Sequence, residues 1–350
     1  MAATEPPPEP VSGLQPLPDL HTLVVGRDAM ACRFELVFNA GEVSDATELS
    51  IEALDLVDRI EDRITVYRDA SEIAVINAAA ASAWQPVAAD IIELLSHCAQ
   101  LHHLTAGAFD PAAGSLVRTW GFLRRQGRTP DAASLAAALA ASGMQLVEID
   151  RAGGRVRFTR RGVEINLGAI GKGWAIDRVV EMLSSAGVRS VLVHGGSSSV
   201  RACGIQGPSI PGREGWRVGV RHPLRPGRRL ATVSLCDQAL GTSGSGTQFF
   251  VDRGRRLGHI LDPRTGIPAE GVLSATVITK AAADADALST ALYVLGPEGL
   301  GRIAPAGGET AAILVVPSRT AGAVRVLTAN LPPERIDCAA SEGIEVVRAV

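Results

Sequence analysis

Residues 259–266 read His-Ile-Leu-Asp-Pro-Arg-Thr-Gly, and residues 283–290 read Ala-Asp-Ala-Asp-Ala-Leu-Ser-Thr. The first stretch follows a strand-like run, Gln238–Arg253, and closes on a turn signal from Pro263 to Gly266, with Pro268 beyond it. That sets a histidine, an aspartate and an arginine together on one rigid turn. The second stretch opens a helix that runs on through Ala-Leu-Tyr-Val-Leu. On it Asp286 and Thr290 stand four apart, one turn up the same face. Two hard oxygen donors stacked that way suit a magnesium ion. The spacing equally suits acids placed at a helix N-terminus by the macrodipole, so the rest of the chain has to decide.

Bulk properties narrow the class. At 350 residues, 46% of them hydrophobic and 20% charged, the chain holds one large or two ordinary soluble domains. A net charge of −3 without a block of like charges argues against a nucleic-acid groove or a polybasic membrane anchor. No apolar run reaches the ~18 residues of a membrane-spanning helix. Residues 1–19 read as a disordered proline-rich tail, with acids and prolines where an export signal needs bases and an apolar core. Residues 20–350 are expected to form the folded domain. Five widely spaced cysteines without a C-x-x-C pair predict free thiols, a cytoplasmic location and no zinc site.

Between the tail and the histidine turn, short strands alternate with amphipathic helices. Thr22–Val25 and Ala31–Phe38 alternate as strands, with Met30 at the bend between them. Apolar positions at helical spacing from Val43 to Tyr67 predict a helix, and Tyr67 stands where it ends. A short helix follows, from Asp69 to near Asn77. Ala89–Thr105 is a further helix; its His97, His102 and His103 lack carboxylates at metal spacing and are expected at the surface or as caps. In Gly107-Ala-Phe-Asp-Pro111 the proline holds Asp110 extended. Asp131–Ser142 reads as a helix with Asp131 near its N-cap, and Gln145–Asp150 with Arg155–Thr159 as a hairpin. Strands are expected at Arg189–Val193, Trp216–Arg221 and Leu273–Thr279, and a last hairpin from Thr310–Val316 and Ala323–Thr328.

Residues 165–177, I-N-L-G-A-I-G-K-G-W-A-I-D, read as a strand, a glycine-rich turn and a helix. Gly168, Gly171 and Gly173 let a backbone approach a ligand, and Lys172 sits where a helix N-terminus adds its dipole. The spacing is neither a Walker loop nor a dinucleotide fingerprint. Small-residue loops near 195 and 243 also border strands, so one sheet edge is expected to carry turns able to receive phosphate oxygens.

Five segments in order carry a family resemblance. They are Ala29-Met-Ala-Cys-Arg-Phe-Glu35, Tyr67–Asn77, Ala108-Phe-Asp-Pro with Trp120-Gly-Phe, Leu167–Asp177, and His259–Gly266 with Asp286–Thr290. Together, over roughly residues 22–318, they resemble the ApbE family, the FAD:protein FMN transferases. The resemblance implies an α+β fold: a large mixed-sheet domain related to the T-fold, with a smaller lobe, closed around the flavin. It implies a magnesium-dependent enzyme that cleaves the pyrophosphate of FAD and passes FMN to a threonine or serine hydroxyl, releasing AMP. The acceptor would be a flavoprotein carrying a D-x-x-[ST]-G-A-[ST] target. By position, the resemblance implies FAD contacts from Met30, Tyr67, Ala108 and Phe109, and from Asp110, Asn166, Lys172 and Ile260. It implies magnesium held by Asp286, Thr290 and the carbonyl of Ala169, with Ser289 beside it, and His259 as base or orienter for the acceptor hydroxyl. The chemistry agrees, because phosphoryl transfer asks for charge neutralisation and positioning, and histidine suits proton removal near neutral pH.

The chain departs from the family pattern at Asn166, where many members carry aspartate, at Ser197 in His194-Gly-Gly-Ser197, and at Ser245-Gly246 in place of Asp-Tyr. These changes leave the metal pair intact and bear on acceptor choice. Two other functions stay open at this point: a magnesium-dependent FAD pyrophosphatase and a non-catalytic flavin-binding protein. Retention of Lys172, His259, Asp286 and Thr290 speaks against the second. Asp262–Gly266 resembles an acceptor target, but Ile267-Pro268 follows it, so self-flavinylation is not expected.

Overall fold

Phe34, Leu36 and Phe38 are buried along one face of the strand Cys32–Asn39, the period-two pattern of a strand with one side on a core. That strand is second in a nine-stranded sheet. In spatial order the sheet runs Thr22–Ala29, Cys32–Asn39, Val191–Gly195, Ser199–Cys203, Gln238–Ser243, Ser274–Thr279, Ala311–Pro317, Val324–Ala329 and Ile344–Arg348. Neighbours are antiparallel except the last two, which are parallel, so the sheet is mixed and the fold α+β. The computed structural model describes residues 21–338, apart from 125, 209–213, 226, 245 and 247, and residues 344–348. The expected tail and Ser245 lie outside the described residues.

Ala312, Leu314 and Val277 face the main core, beneath the helices Ala46–Ile64, Gly171–Ser185 and Ala282–Leu295. Their neighbours Ile313, Val315 and Ile278 face a second core, closed by the three-stranded sheet of Trp216–Arg221, Arg229–Leu235 and Ile336–Cys338. Ser274–Thr279 and Ala311–Pro317 are covered on both sides, which is why Ala311–Pro317 reads as an apolar run rather than an alternating strand. A third and smaller core, built from Leu116, Trp120, Phe122, Leu257 and Leu261, makes a smaller lobe.

The expected helices form, with trimmed ends: Ala46–Ile64, Glu72–Ala79, Ala89–Leu104 and Ala132–Ala140. Asp131 is the N-cap of the last and accepts the Ser134 N–H at 2.8 Å. Two expectations fail. Residues 165–167 are not a strand, because the Asn77 side chain takes over both backbone groups of Ile165, accepting its N–H at 2.7 Å and donating to its carbonyl at 2.8 Å. The run Gln238–Arg253 is also two strands rather than one. Gln238–Ser243 joins the large sheet, while Phe249–Asp252 pairs with Arg255–Gly258 in a separate two-stranded ribbon; small residues around Gly244 and Gly246 end the first strand.

Candidate active site

A cleft of about 590 Å³ opens beside the first turn of the Gly171–Ser185 helix, within the size range of small-molecule sites. Met30, Tyr67, Ala108, Phe109 and Asp110 reach it from the N-terminal half of the chain. Asn166, Ala169 and Lys172 line it from the glycine-rich segment, and His259, Ile260, Asp286 and Thr290 from the C-terminal half. Residues as far apart as 30 and 290 therefore meet at one site. Of the residues singled out in the sequence, Ser289 is not on the wall; it is 1% exposed and lies one layer behind.

Asp286 is fixed by backbone packing. A Cβ on Gly173 would stand 2.1 Å from the Ala282 carbonyl oxygen, and one on Gly241 would stand 2.3 Å from that of Ala285. Only glycine at these points lets the Ala282–Leu295 helix lie so close to the sheet and to its neighbouring helix. Gly173 therefore serves helix packing, not ligand approach as the spacing suggested; Gly171 likewise abuts Ile64, at 2.8 Å for an added Cβ. With the helices in contact, the Gly173 N–H donates to Asp286 Oδ2 at 2.8 Å and the Ser199 hydroxyl donates to Oδ1 at 2.6 Å. Burial pushes the Asp286 carboxyl upward from the usual range, opposed by the Lys172 ammonium and by these two donors.

The surrounding donors are oxygens. The Ser243 hydroxyl lies 3.0 Å from Thr290 Oγ1 and 2.9 Å from Ser289 Oγ, and Thr290 Oγ1 donates to the Asp286 backbone carbonyl at 3.1 Å. No cluster of three histidine, cysteine, aspartate or glutamate residues able to hold a metal occurs among the described residues. One buried carboxylate with neutral oxygens and an open cleft fits a hard divalent cation that keeps part of its water, as magnesium does.

His259 does not join Asp262 and Arg264. Those two pair with each other through Arg264 Nε and Nη2, at 2.9 and 2.8 Å, whereas His259 Nδ1 lies 3.1 Å from the Gln248 carbonyl. Nδ1–H donates there, which leaves the Nε2 lone pair available. Burial moves the imidazole below its ordinary pKa; the Gln248 carbonyl opposes this shift and the Lys172 ammonium adds to it. Burial thus favours the neutral form of the ring.

At the mouth, Met30 and Ala31 form the tip of the first hairpin with φ of 49° and 58°, as a tight primed turn requires. Glu61 holds this strained tip by accepting the Met30 N–H at 2.6 Å. Tyr67, 71% exposed, stands at the rim. Asp110 reaches the cleft, but its carboxylate is engaged by backbone, accepting the N–H of Ala112 in its own loop at 2.8 Å and that of distant Met144 at 3.3 Å. His103 is exposed and His97 and His102 are half-buried near the surface; His97 pairs with Asp284 from a distant segment, and His102 Nδ1 lies 3.2 Å from Asp110, eight residues on.

Three residues were not found by sequence reasoning: Ser199 and Glu61, described above, and Asp177. The Asp177 carboxylate, 5% exposed, accepts the Ala282 and Ala283 N–H groups at 2.9 Å each and pairs with Arg201. It caps the helix that carries Asp286. Asp177 follows Gly173 by one helical turn, a spacing that could have flagged a shared helix-packing face.

The profile of the ApbE family matches residues 30–314. A FAD:protein FMN transferase from Treponema pallidum is 34% identical over 271 residues, 74% of each chain. One from Klebsiella pneumoniae is 31% identical over 263 residues, 73% of each. Among solved structures, the flavinyl transferase ApbE of Pseudomonas stutzeri in its apo form superposes with a TM-score of 0.76 at 30% identity, covering 90% of this chain and 97% of that one. An ApbE protein from Thermotoga maritima gives the same TM-score and identity over 85% and 94%.

Proposed function

The chain belongs to the ApbE family, and from that premise we propose that it is a magnesium-dependent FAD:protein FMN transferase acting through the cleft described above. One observation carries the reading: a neutral histidine with a free Nε2, a lysine ammonium and a buried aspartate among hydroxyls all face the same cavity. FAD is the substrate. Lys172 stands to neutralise pyrophosphate charge, and Met30, Tyr67, Phe109 and Ile260 offer the apolar contacts a flavin or adenine ring needs. Asp286, Thr290 and the carbonyl of Ala169, supported by Ser289 and Ser243, would hold magnesium. When bound, the ion would offset charge on the phosphate oxygens.

In the transfer, His259 Nε2 takes the proton of an acceptor threonine or serine hydroxyl. The acceptor oxygen forms a bond to the FMN phosphorus, the pyrophosphate bridge breaks, and AMP leaves with the bridging oxygen and its electron pair. The acceptor site on the partner flavoprotein is proposed as the D-x-x-[ST]-G-A-[ST] segment. No helix among the described residues is long and apolar enough to cross a membrane, and the free thiols of Cys32, Cys98, Cys203 and Cys236 support a reducing, cytoplasmic setting.

Mass spectrometry of a reaction holding the protein, FAD, magnesium and a peptide with that target tests the reading. The expected result is one FMN on the peptide with AMP released, lost on chelation. Free FMN and AMP with an unmodified peptide would replace the transferase by a pyrophosphatase, and no turnover would leave a flavin-binding protein.

A further inference from the structure

The transfer brings a hydroxyl on a second protein to His259, so a stretch of that protein must lie across the cleft mouth next to this residue. The ribbon of Phe249–Asp252 and Arg255–Gly258 ends on it: the His259 N–H donates to the Gln248 carbonyl at 3.2 Å, continuing the ladder one step past the Phe249–Gly258 pair. One face of the ribbon is covered, Phe250 and Leu257 packing with Trp120 and Phe122. The other face is open. Phe249 is 45% and Val251 63% exposed, with the Arg256 guanidinium 3.8 Å above the Phe249 ring.

The register also decides which backbone groups are spent. Gln248 and His259 form a bonded pair, and bonded and non-bonded pairs alternate along an antiparallel ladder. Phe249 and Val251 therefore fall at non-bonded positions, so their N–H and C=O groups point outward. Among the described residues no further strand pairs with the ribbon. An open edge with two outward apolar side chains at alternate positions is the arrangement that receives an added strand. The tip reads Asp252-Arg-Gly-Arg-Arg256. The adjoining loop, in contact through Gln248 with Phe122 and Asp252 with Thr129, adds exposed Arg124 and Arg128. Arg255 is paired with Glu270 at 2.8 Å, and the remaining arginines leave the surroundings of the edge positive.

We propose that the acceptor protein docks as an extended, acid-bearing segment added as a strand to the Phe249–Asp252 edge, which delivers its threonine or serine to His259. This rests on the transferase reading. Val251→Pro removes one outward N–H while leaving the ribbon's own bonds in place, and Val251→Thr keeps the edge. With the target peptide, KM for the peptide is expected to rise at least tenfold in Val251→Pro and to stay near the wild-type value in Val251→Thr, with FAD affinity unchanged in both. Hydrogen exchange provides a readout on the unaltered protein: the amides of 249 and 251 should be protected by the peptide and not by FAD alone. Normal peptide KM in Val251→Pro, or no protection at these amides in a wild-type enzyme that modifies the peptide, overturns the docking site alone. A wild-type enzyme that turns over FAD without modifying the peptide overturns the transferase reading and the docking site with it.

Discussion

Gly173→Ala adds one carbon at the point where the two site helices touch. The new Cβ would start 2.1 Å from the Ala282 carbonyl oxygen, and ordinary contact begins near 3.4 Å. The Ala282–Leu295 helix must retreat by about 1.3 Å, because the obstacle is backbone and cannot rotate away. Overpacking of this kind costs about 1–3 kcal/mol, while alanine in place of glycine inside a helix returns about 1 kcal/mol. The net loss is about 0–2 kcal/mol, small enough to leave the protein folded. The site should suffer more than the fold. The Gly173 N–H to Asp286 bond, 2.8 Å long, stretches out of range, and a displacement of about 1 Å at reacting groups costs on the order of 100-fold in rate. FMN transfer to the target peptide, followed by mass spectrometry with thermal unfolding alongside, is the assay. A Gly173→Ala enzyme with the wild-type rate and melting temperature would refute the claim that this glycine seats the aspartate helix.

Three further outcomes follow from the same geometry. Magnesium should stabilise the wild-type protein, by about 2.7 kcal/mol at a hundredfold excess over its Kd, and should leave Asp286→Asn unmoved in a thermal shift experiment. Without metal Asp286→Asn should be no less stable than wild type at pH 7, since burial holds the native carboxyl above its ordinary pKa and disfavours its charge; equal magnesium shifts in both proteins would remove Asp286 from the site. In the proposed transfer His259 acts as neutral imidazole, and burial lowers its pKa, so kcat/KM should be flat through pH 7 and fall on the acid side only below about 6.5. The sign for stability is the same, the buried neutral ring's contribution being full above the unfolded value and lost as pH falls on through the lowered folded one. His259→Ala should abolish that acid limb and slow transfer while FAD affinity holds; an acid limb centred above pH 7 in the wild type would contradict the burial argument. Ser199→Ala removes a donor to a buried carboxylate, a loss of about 1.5–3 kcal/mol, and should weaken magnesium binding about tenfold or more; isothermal titration giving wild-type affinity would count against it.

What the sequence could disclose was local. The Asp286–Thr290 pair and the Gly-Lys-Gly turn are visible because their partners lie within one helical turn, and apolar periodicity marked the helices and most of the strands. The same locality misled at Gly173. Glycine signals that some backbone comes close, and only packing tells whether that backbone belongs to a helix or leaves room for a ligand. Ser199 is 87 residues from Asp286, Glu61 is 31 from Met30 and Asp110 is 34 from Met144; no periodicity spans such gaps. The missing strand at 165–167 has a related cause, since distant Asn77 satisfies the backbone groups of Ile165; the break after Ser243 is local, at the small residues around Gly244.

The same contacts explain why this site is inseparable from its scaffold. Asp177, on the helix that carries Lys172, accepts the first two N–H groups of the helix that carries Asp286. Asp286 in return accepts the Gly173 N–H in the first turn of the lysine helix. Each helix therefore supplies a carboxylate that satisfies the otherwise unpaired N-terminal donors of the other. A buried carboxylate held only for a metal would be costly whenever the metal leaves. Here the Gly173 and Ser199 donors hold the Asp286 carboxylate without a metal, so the carboxylate proposed to meet a cation is also part of the joint that positions Lys172. Substitutions at Asp286 or Gly173 should for that reason disturb lysine placement as well as metal binding, and FAD affinity should fall with either.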